Sequence, residues 1–206
     1  AATRAGLVVA PFDPALPDAE RRARAEMACV RVTLVDGNQP SLGGDPAWLL
    51  GPDGGISTDD APRAFGESIP GLTGRDALIM FTSGSSGPPK GVLHSHGSAL
   101  GAVASGLAAR CIDADTRLYL PMPFFWVGGF GGGVLSALLA GATLITEEIP
   151  RPETTLALLE AERVTLFRGW PDQAAALALH GGDADLSALL PGSLEALLPA
   201  ELRSAP

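Results

Sequence analysis

Apolar residues along the chain gather in short runs broken by Gly, Pro and Asp. From residue 76 onward, runs of strand length alternate with stretches of helical spacing. This pattern predicts a strand over 77–82, a loop, a short strand over 92–95 and a helix from about 97 to 109. It then predicts strand 117–121, helix 130–140, strand 142–146, helix 153–162, strand 164–168 and helix 171–180. Strands alternating with helices of this length imply βαβ units: an α/β fold whose sheets are mostly parallel and covered by helices. Before residue 36 the same reasoning gives a short buried strand over 6–10, stopped by Pro11, a helix over 19–27 opened by Pro17 and Asp18, and an alternating strand over 30–35. Residues 36–75 are rich in Gly, Pro and Asp, with only Trp48-Leu49-Leu50 apolar enough to anchor. They read as an irregular excursion within one domain, so the organisation expected is 1–35, 36–75 and 76–206.

Composition narrows the classes. With 206 residues, 46% of them hydrophobic, the chain can bury a substantial core. A net charge of −9 argues against a nucleic-acid partner, which calls for a basic face. The richest apolar stretch, Val134 to Ala140, is too short for a membrane span, and a cytoplasmic protein is the expectation. Cys29 and Cys111 stand alone, without metal-ligand spacing, and read as buried free thiols. Glu147-Glu148 and Asp59-Asp60 read as solvated turns.

Chemistry concentrates in Phe81-Thr82-Ser83-Gly84-Ser85-Ser86-Gly87-Pro88-Pro89-Lys90-Gly91. An apolar strand runs into a loop of hydroxyls and glycines that ends in one lysine. Gly84 and Gly87 can adopt positive φ without a Cβ penalty, which lets successive backbone N–H groups turn toward one anion. Thr82, Ser83, Ser85 and Ser86 add uncharged donors, and Lys90 adds a compact positive charge for phosphate oxygens. The Walker A pattern is excluded, because that loop places glycine directly before the lysine and Ser or Thr directly after it. Here Pro89 precedes Lys90 and Gly91 follows.

Thr82 to Gly91 resembles the signature loop of the adenylate-forming enzymes: acyl-CoA synthetases, peptide-synthetase adenylation domains and luciferases. Asp76 to Phe81 and Val92 to His96 are similar to the strands flanking that loop. Pro123 to Phe130, Leu138 to Leu144 and Arg163 to Pro171 resemble later family segments, in family order. The resemblance implies the large N-terminal domain of that fold, and an ATP-dependent ligase that joins a carboxylate to the α-phosphate and then passes the acyl group to a thiol. That thiol belongs to coenzyme A or, as in a fatty-acyl-AMP ligase, to a carrier-protein pantetheine; a non-catalytic nucleotide-binding module is the alternative. The phosphate-binding set implied is Thr82, Ser83, Gly84, Ser85, Ser86, Gly87 and Lys90, with Lys90 also catalytic.

By the same resemblance, Trp126, Val127, Gly128 and Gly129 border the acyl pocket or thiol tunnel, Trp126 standing where many relatives carry His. The family's Mg²⁺-holding Glu, its ribose-binding Asp and its mobile C-terminal domain with a second lysine have no match here. With Ala1 in place of an initiator Met as well, the chain reads as a fragment cut at both ends and inactive alone, with ATP, Mg²⁺ and coenzyme A expected for the whole enzyme. His94 and His96 read as neighbours on one strand face, and His180 as the end of a helix.

Overall fold

A computed structural model of the chain describes residues 2–3, 6–36, 47–50, 56–57, 74–82, 89–181, 183–194 and 197–198. The chain forms two compact units, Ala1–Ala99 and Leu100–Pro206, and each is described by itself.

In the first unit, helix α1 (Asp18–Met27) starts with Asp18 and Glu20 in its first turn, where acidic groups suit the helix dipole. Strands β1 (Thr33–Asp36), β2 (Ala47–Leu50) and β3 (Ile56–Ser57) form one small sheet in that order. β1 and β2 are parallel, and β2 and β3 antiparallel. Two of these strands fall inside the stretch 36–75 that composition alone reads as irregular. Strands β4 (Asp76–Thr82) and β5 (Lys90–Ser95) pair as an antiparallel hairpin. β4 buries Ala77, Leu78 and Met80. The expected strand over 6–10 contributes a single parallel bridge between Val9 and Leu78, closed by Val9 N–H to the Ala77 carbonyl and Ile79 N–H to the Val9 carbonyl, each 2.9 Å. Helix α2 (His96–Ala104) follows β5 at once. His96 thus opens a helix and does not share a strand face with His94.

In the second unit, β6 (Arg117–Tyr119), β7 (Thr143–Ile145) and β8 (Leu166–Phe167) form a parallel sheet in the order β7-β6-β8. Period-2 alternation explains its two buried faces. Leu118, Leu120 and Leu166 enter a core with Ile112 on one side. Tyr119, Ile145 and Phe167 enter the other, with Leu156 and Leu159 of α5 (Pro152–Ala161) and Ala174 and Leu177 of α6 (Pro171–His180). Both helices carry Pro at their first position behind an extended residue, Arg151 or Trp170; proline tolerates that site because its missing N–H has no intrahelical acceptor there. Helix α3 (Val127–Gly129) begins three residues earlier than the periodicity predicts, passes through a π-helical stretch, Phe130–Leu135, and ends as α4 (Ser136–Ala140). Gly141, at φ +76°, terminates it in the left-handed region.

The mostly parallel, helix-covered α/β architecture is as expected, with the β2–β3 and β4–β5 pairs as antiparallel departures. The cysteines correct the sequence reading. Cys29 and Cys111 are free and exposed, each in a left-handed turn just past a helix, φ 50° and 56°, with its side chain toward solvent.

A buried polar network crosses the second core. The Tyr119 hydroxyl donates to Glu147 Oε1 at 2.6 Å and accepts from Gln173 Nε2 at 2.9 Å. The Thr155 hydroxyl donates to the same carboxylate oxygen, and Thr154 to its partner oxygen at 3.3 Å. Glu147 is therefore a structural acceptor, which overturns its reading as a solvated turn residue. Burial, and then the hydrogen bond to Glu147, push the Tyr119 hydroxyl well above its ordinary value of 10.0. The sign follows: the unfolded chain releases this proton first, so the stability the network contributes is intact below about pH 10 and falls as pH rises past it. Tyr119 is the chain's one tyrosine, so phenolate absorbance reads it alone. We expect no phenolate signal in the folded chain until unfolding itself begins; a phenolate titrating near pH 10 with the fold intact would contradict the network.

Candidate functional site

The register of the β4–β5 hairpin fixes the stem of the Gly/Ser loop. Thr82 pairs with Lys90 and Phe81 with Gly91. The Thr82 hydroxyl reaches across to the Lys90 carbonyl at 3.4 Å. Lys90 is the first residue of β5, a place the sequence pattern gave to the loop, and it is exposed. No carboxylate pairs with it among the described residues, so its ammonium is available to an incoming anion. It is the only lysine of a chain with 14 basic residues, a signal the motif reading passed over. Ser83, Gly84, Ser85, Ser86 and Gly87 lie outside the described residues. Of the implied phosphate-binding set, the structure brings together Thr82 and Lys90, at the mouth of the loop that joins them.

Gly91, the last residue of the motif, has a packing reason of its own. A Cβ there would stand 3.1 Å from Ile79 Cγ2 and 3.4 Å from Phe81 Cε1. The Phe81 ring occupies the space across the strand, and this pairing holds the register one step from Lys90.

The aromatic segment lies in the second unit. Trp126 is extended, φ −104° and ψ 150°, and caps the start of α3. Its ring meets Phe125 and Trp170 edge-to-face, with centroids 5.9 and 6.0 Å apart. Trp126, Val127 and Trp170 are 48%, 64% and 41% exposed, leaving two indoles and a valine bare on one surface. Trp170, which caps α6 in the same extended way, belongs to this cluster, and sequence reasoning did not single it out. Gly128 is exposed, and a Cβ there would meet only the flexible Met122 Sδ, at 3.1 Å.

Gly129 is different. It is buried, and a Cβ would fall 2.1 Å from the Pro123 carbonyl oxygen and 2.8 Å from that of Met122. Backbone occupies the space that a wall glycine would leave open. The π-helical stretch follows directly, through Gly131-Gly132-Gly133. Without side chains to pack at successive turns, the widened turn is tolerated, and the buried Ser136 hydroxyl satisfies the Gly131 carbonyl five residues back at 2.8 Å. Such turns concentrate where helices border functional surfaces.

Among the described residues, no group of three His, Cys, Asp or Glu side chains gathers as a metal site, and no helix is long and apolar enough to cross a membrane.

The glycines separate two kinds of demand. Gly129→Ala should destabilise the chain by about 2 kcal/mol or more, because backbone cannot yield as a side chain can. Gly132→Ala, with nothing within 4 Å of its Cβ, should be neutral or stabilising by up to ~1 kcal/mol through helix propensity. Urea midpoints of the two variants check the contrast, and equal effects would refute it.

A family model described as AMP-binding enzyme matches residues 1–204. A feruloyl-CoA synthase from Amycolatopsis is 37% identical over 114 residues, which cover 54% of this chain and 23% of that protein. An indoleacetate–CoA ligase from Aromatoleum aromaticum is 32% identical over 168 residues, 78% of this chain and 29% of the relative. The chain thus spans about a quarter of the length of these curated relatives. Among solved structures, apo MatB from Rhodopseudomonas palustris superposes with a TM-score of 0.75 at 22% identity, over 90% of this chain and 39% of that one; this likeness concerns the fold.

Proposed function

The chain belongs to the AMP-binding enzyme family, and on that premise we propose that it is part of an ATP-dependent ligase that activates a carboxylate as its acyl-adenylate and then forms a thioester with coenzyme A. One observation carries the reading: strand pairing sets Thr82 opposite Lys90 at the mouth of the Gly/Ser loop, with the lysine exposed and unpaired among the described residues. The names of the relatives, a CoA synthase and a CoA ligase acting on aromatic acids, support the thioester step.

The chemistry is one of charge. A carboxylate oxygen attacks the α-phosphorus of ATP, the bond to the bridging oxygen breaks, and pyrophosphate leaves carrying the growing negative charge. Donors already in place for that charge lower the barrier without reorganising during the reaction. Lys90 presents its ammonium to the phosphate oxygens, and the loop's backbone N–H groups and the hydroxyls of Ser83, Ser85 and Ser86 complete the cradle. Thr82, whose hydroxyl spans the stem, keeps the lysine's strand aligned with the loop. Among the described residues no three His, Cys, Asp or Glu side chains gather as a metal site; Mg²⁺, which is held by one or two carboxylates together with the substrate's phosphates, would offset charge on the departing pyrophosphate. In the thioester step the exposed Trp126, Val127 and Gly128 line the approach of the acyl group or the thiol, with Trp170 beside them. Gly129 holds the turn that presents Trp126.

Rates of both half-reactions in the full-length gene product test the assignment. Lys90→Ala should lower acyl-adenylate formation by ~10²–10³ with little change in melting temperature, as for loss of one preorganised donor. Trp126→Ala should slow thioester formation more than adenylate formation. Normal adenylation by a Lys90→Ala protein that melts early would make the loop structural; equal losses in both steps for Trp126→Ala would make that residue a packing element.

A further inference from the structure

The strand that feeds the loop is braced from outside its own hairpin. Phe81, one residue before Thr82, packs edge-to-face with Phe12, centroids 5.5 Å apart at 60°. Across the hairpin it lies over Gly91. Above the ring sits the guanidinium of Arg24 from α1, its Cζ 5.4 Å from the ring centroid. Arg24 is held there closely: its side chain is 16% exposed, and Nη2 donates to Glu20 Oε1 at 2.5 Å, one turn back along the helix. Its Nε is buried with no acceptor among the described residues. A guanidinium with a buried donor that finds no oxygen has the negative face of the ring as its remaining partner, and that attraction strengthens as water is excluded. Arg22, two residues away on the same helix, is exposed.

Resting on the reading that residues 82–91 hold the phosphates of a nucleotide, we propose that Arg24 is a positioning residue for that loop. It acts through Phe81: clamped between Arg24, Phe12 and the bare Cα of Gly91, the ring pins the pair Phe81–Gly91, and with it the adjacent pair Thr82–Lys90. Arg24 touches no reacting atom in this scheme. Its contribution is the direction in which Lys90 leaves the strand.

The test compares Arg24→Leu, Arg24→Lys and the control Arg22→Leu in the full-length gene product. Three quantities are read: KM for ATP against kcat in carboxylate-dependent pyrophosphate release, amide hydrogen exchange over residues 76–95, and melting temperature. Arg24→Leu should raise KM for ATP roughly 3- to 10-fold with kcat little changed, the range expected for loss of a partly buried cation–π pair. Exchange should accelerate at the loop end of the hairpin and not at its Asp76–Ser95 end. Arg24→Lys, which keeps a cation over the ring, should recover most of both effects, and Arg22→Leu should match the parent. The proposal is overturned if Arg24→Leu behaves as Arg22→Leu, or if it lowers the melting temperature and speeds exchange along the whole hairpin while KM stays the same. A parent protein that neither binds ATP nor releases pyrophosphate from it would instead defeat the phosphate reading. Exchange at the loop end would still decide whether Arg24 governs the hairpin mouth.

Discussion

Two adjacent cross-strand pairs, Phe81 with Gly91 and Thr82 with Lys90, set the geometry on which the candidate site depends. A register slip of one residue in a hairpin turns every side chain to the opposite face, and here it would carry Lys90 away from the loop it terminates. The register is held by an aromatic ring lying across a glycine, so the final glycine of the motif serves the strand pairing as much as the loop. Gly91, which makes room for Phe81, is the neighbour of Lys90, the residue we propose meets the phosphates.

The second unit solves a different problem. Its three-stranded sheet is covered on both faces, and β6 runs through the middle with Leu118 and Tyr119 fully buried on opposite sides. Placing a tyrosine there requires partners for its hydroxyl, since a buried polar group without them is costly. Glu147 and Gln173 supply them from the end of β7 and from α6. The network thereby ties the sheet to the helix whose cap is Trp170, and Trp170 in turn abuts Trp126. The exposed aromatic surface rests on a core made specific by polar contacts within apolar packing.

Much of this was legible in the sequence. Period-2 runs alternating with helical stretches placed β4, β6, β7, α5 and α6 close to where they lie, and the resemblance of Thr82 to Gly91 identified the family. What escaped depends on residues distant along the chain. Glu147 looked solvated because its partners sit at 119, 154 and 155. Gly129 looked like an open wall because the carbonyl of Pro123 that fills its space is brought there by the turn. Lys90 looked like a loop residue because nothing local announces that β5 starts before its apolar stretch. The cysteines looked buried on composition, yet both sit in turns just past helices with their side chains exposed. Lys90 also carried an unused signal, as the one lysine in a chain that otherwise uses arginine for every basic position.

The Lys90 amine allows a chemical test that it stands at the phosphate end of a bound nucleotide. An ATP analogue bearing a pyridoxal aldehyde on its terminal phosphate forms an imine with a nearby lysine, which borohydride reduction makes permanent. Applied to the full-length gene product and followed by peptide mapping, it should modify the peptide containing Lys90, with ATP protecting in proportion to its occupancy. Labelling of Lys90 that ATP does not suppress, or ATP-protected labelling elsewhere with Lys90 unmodified, would contradict the account.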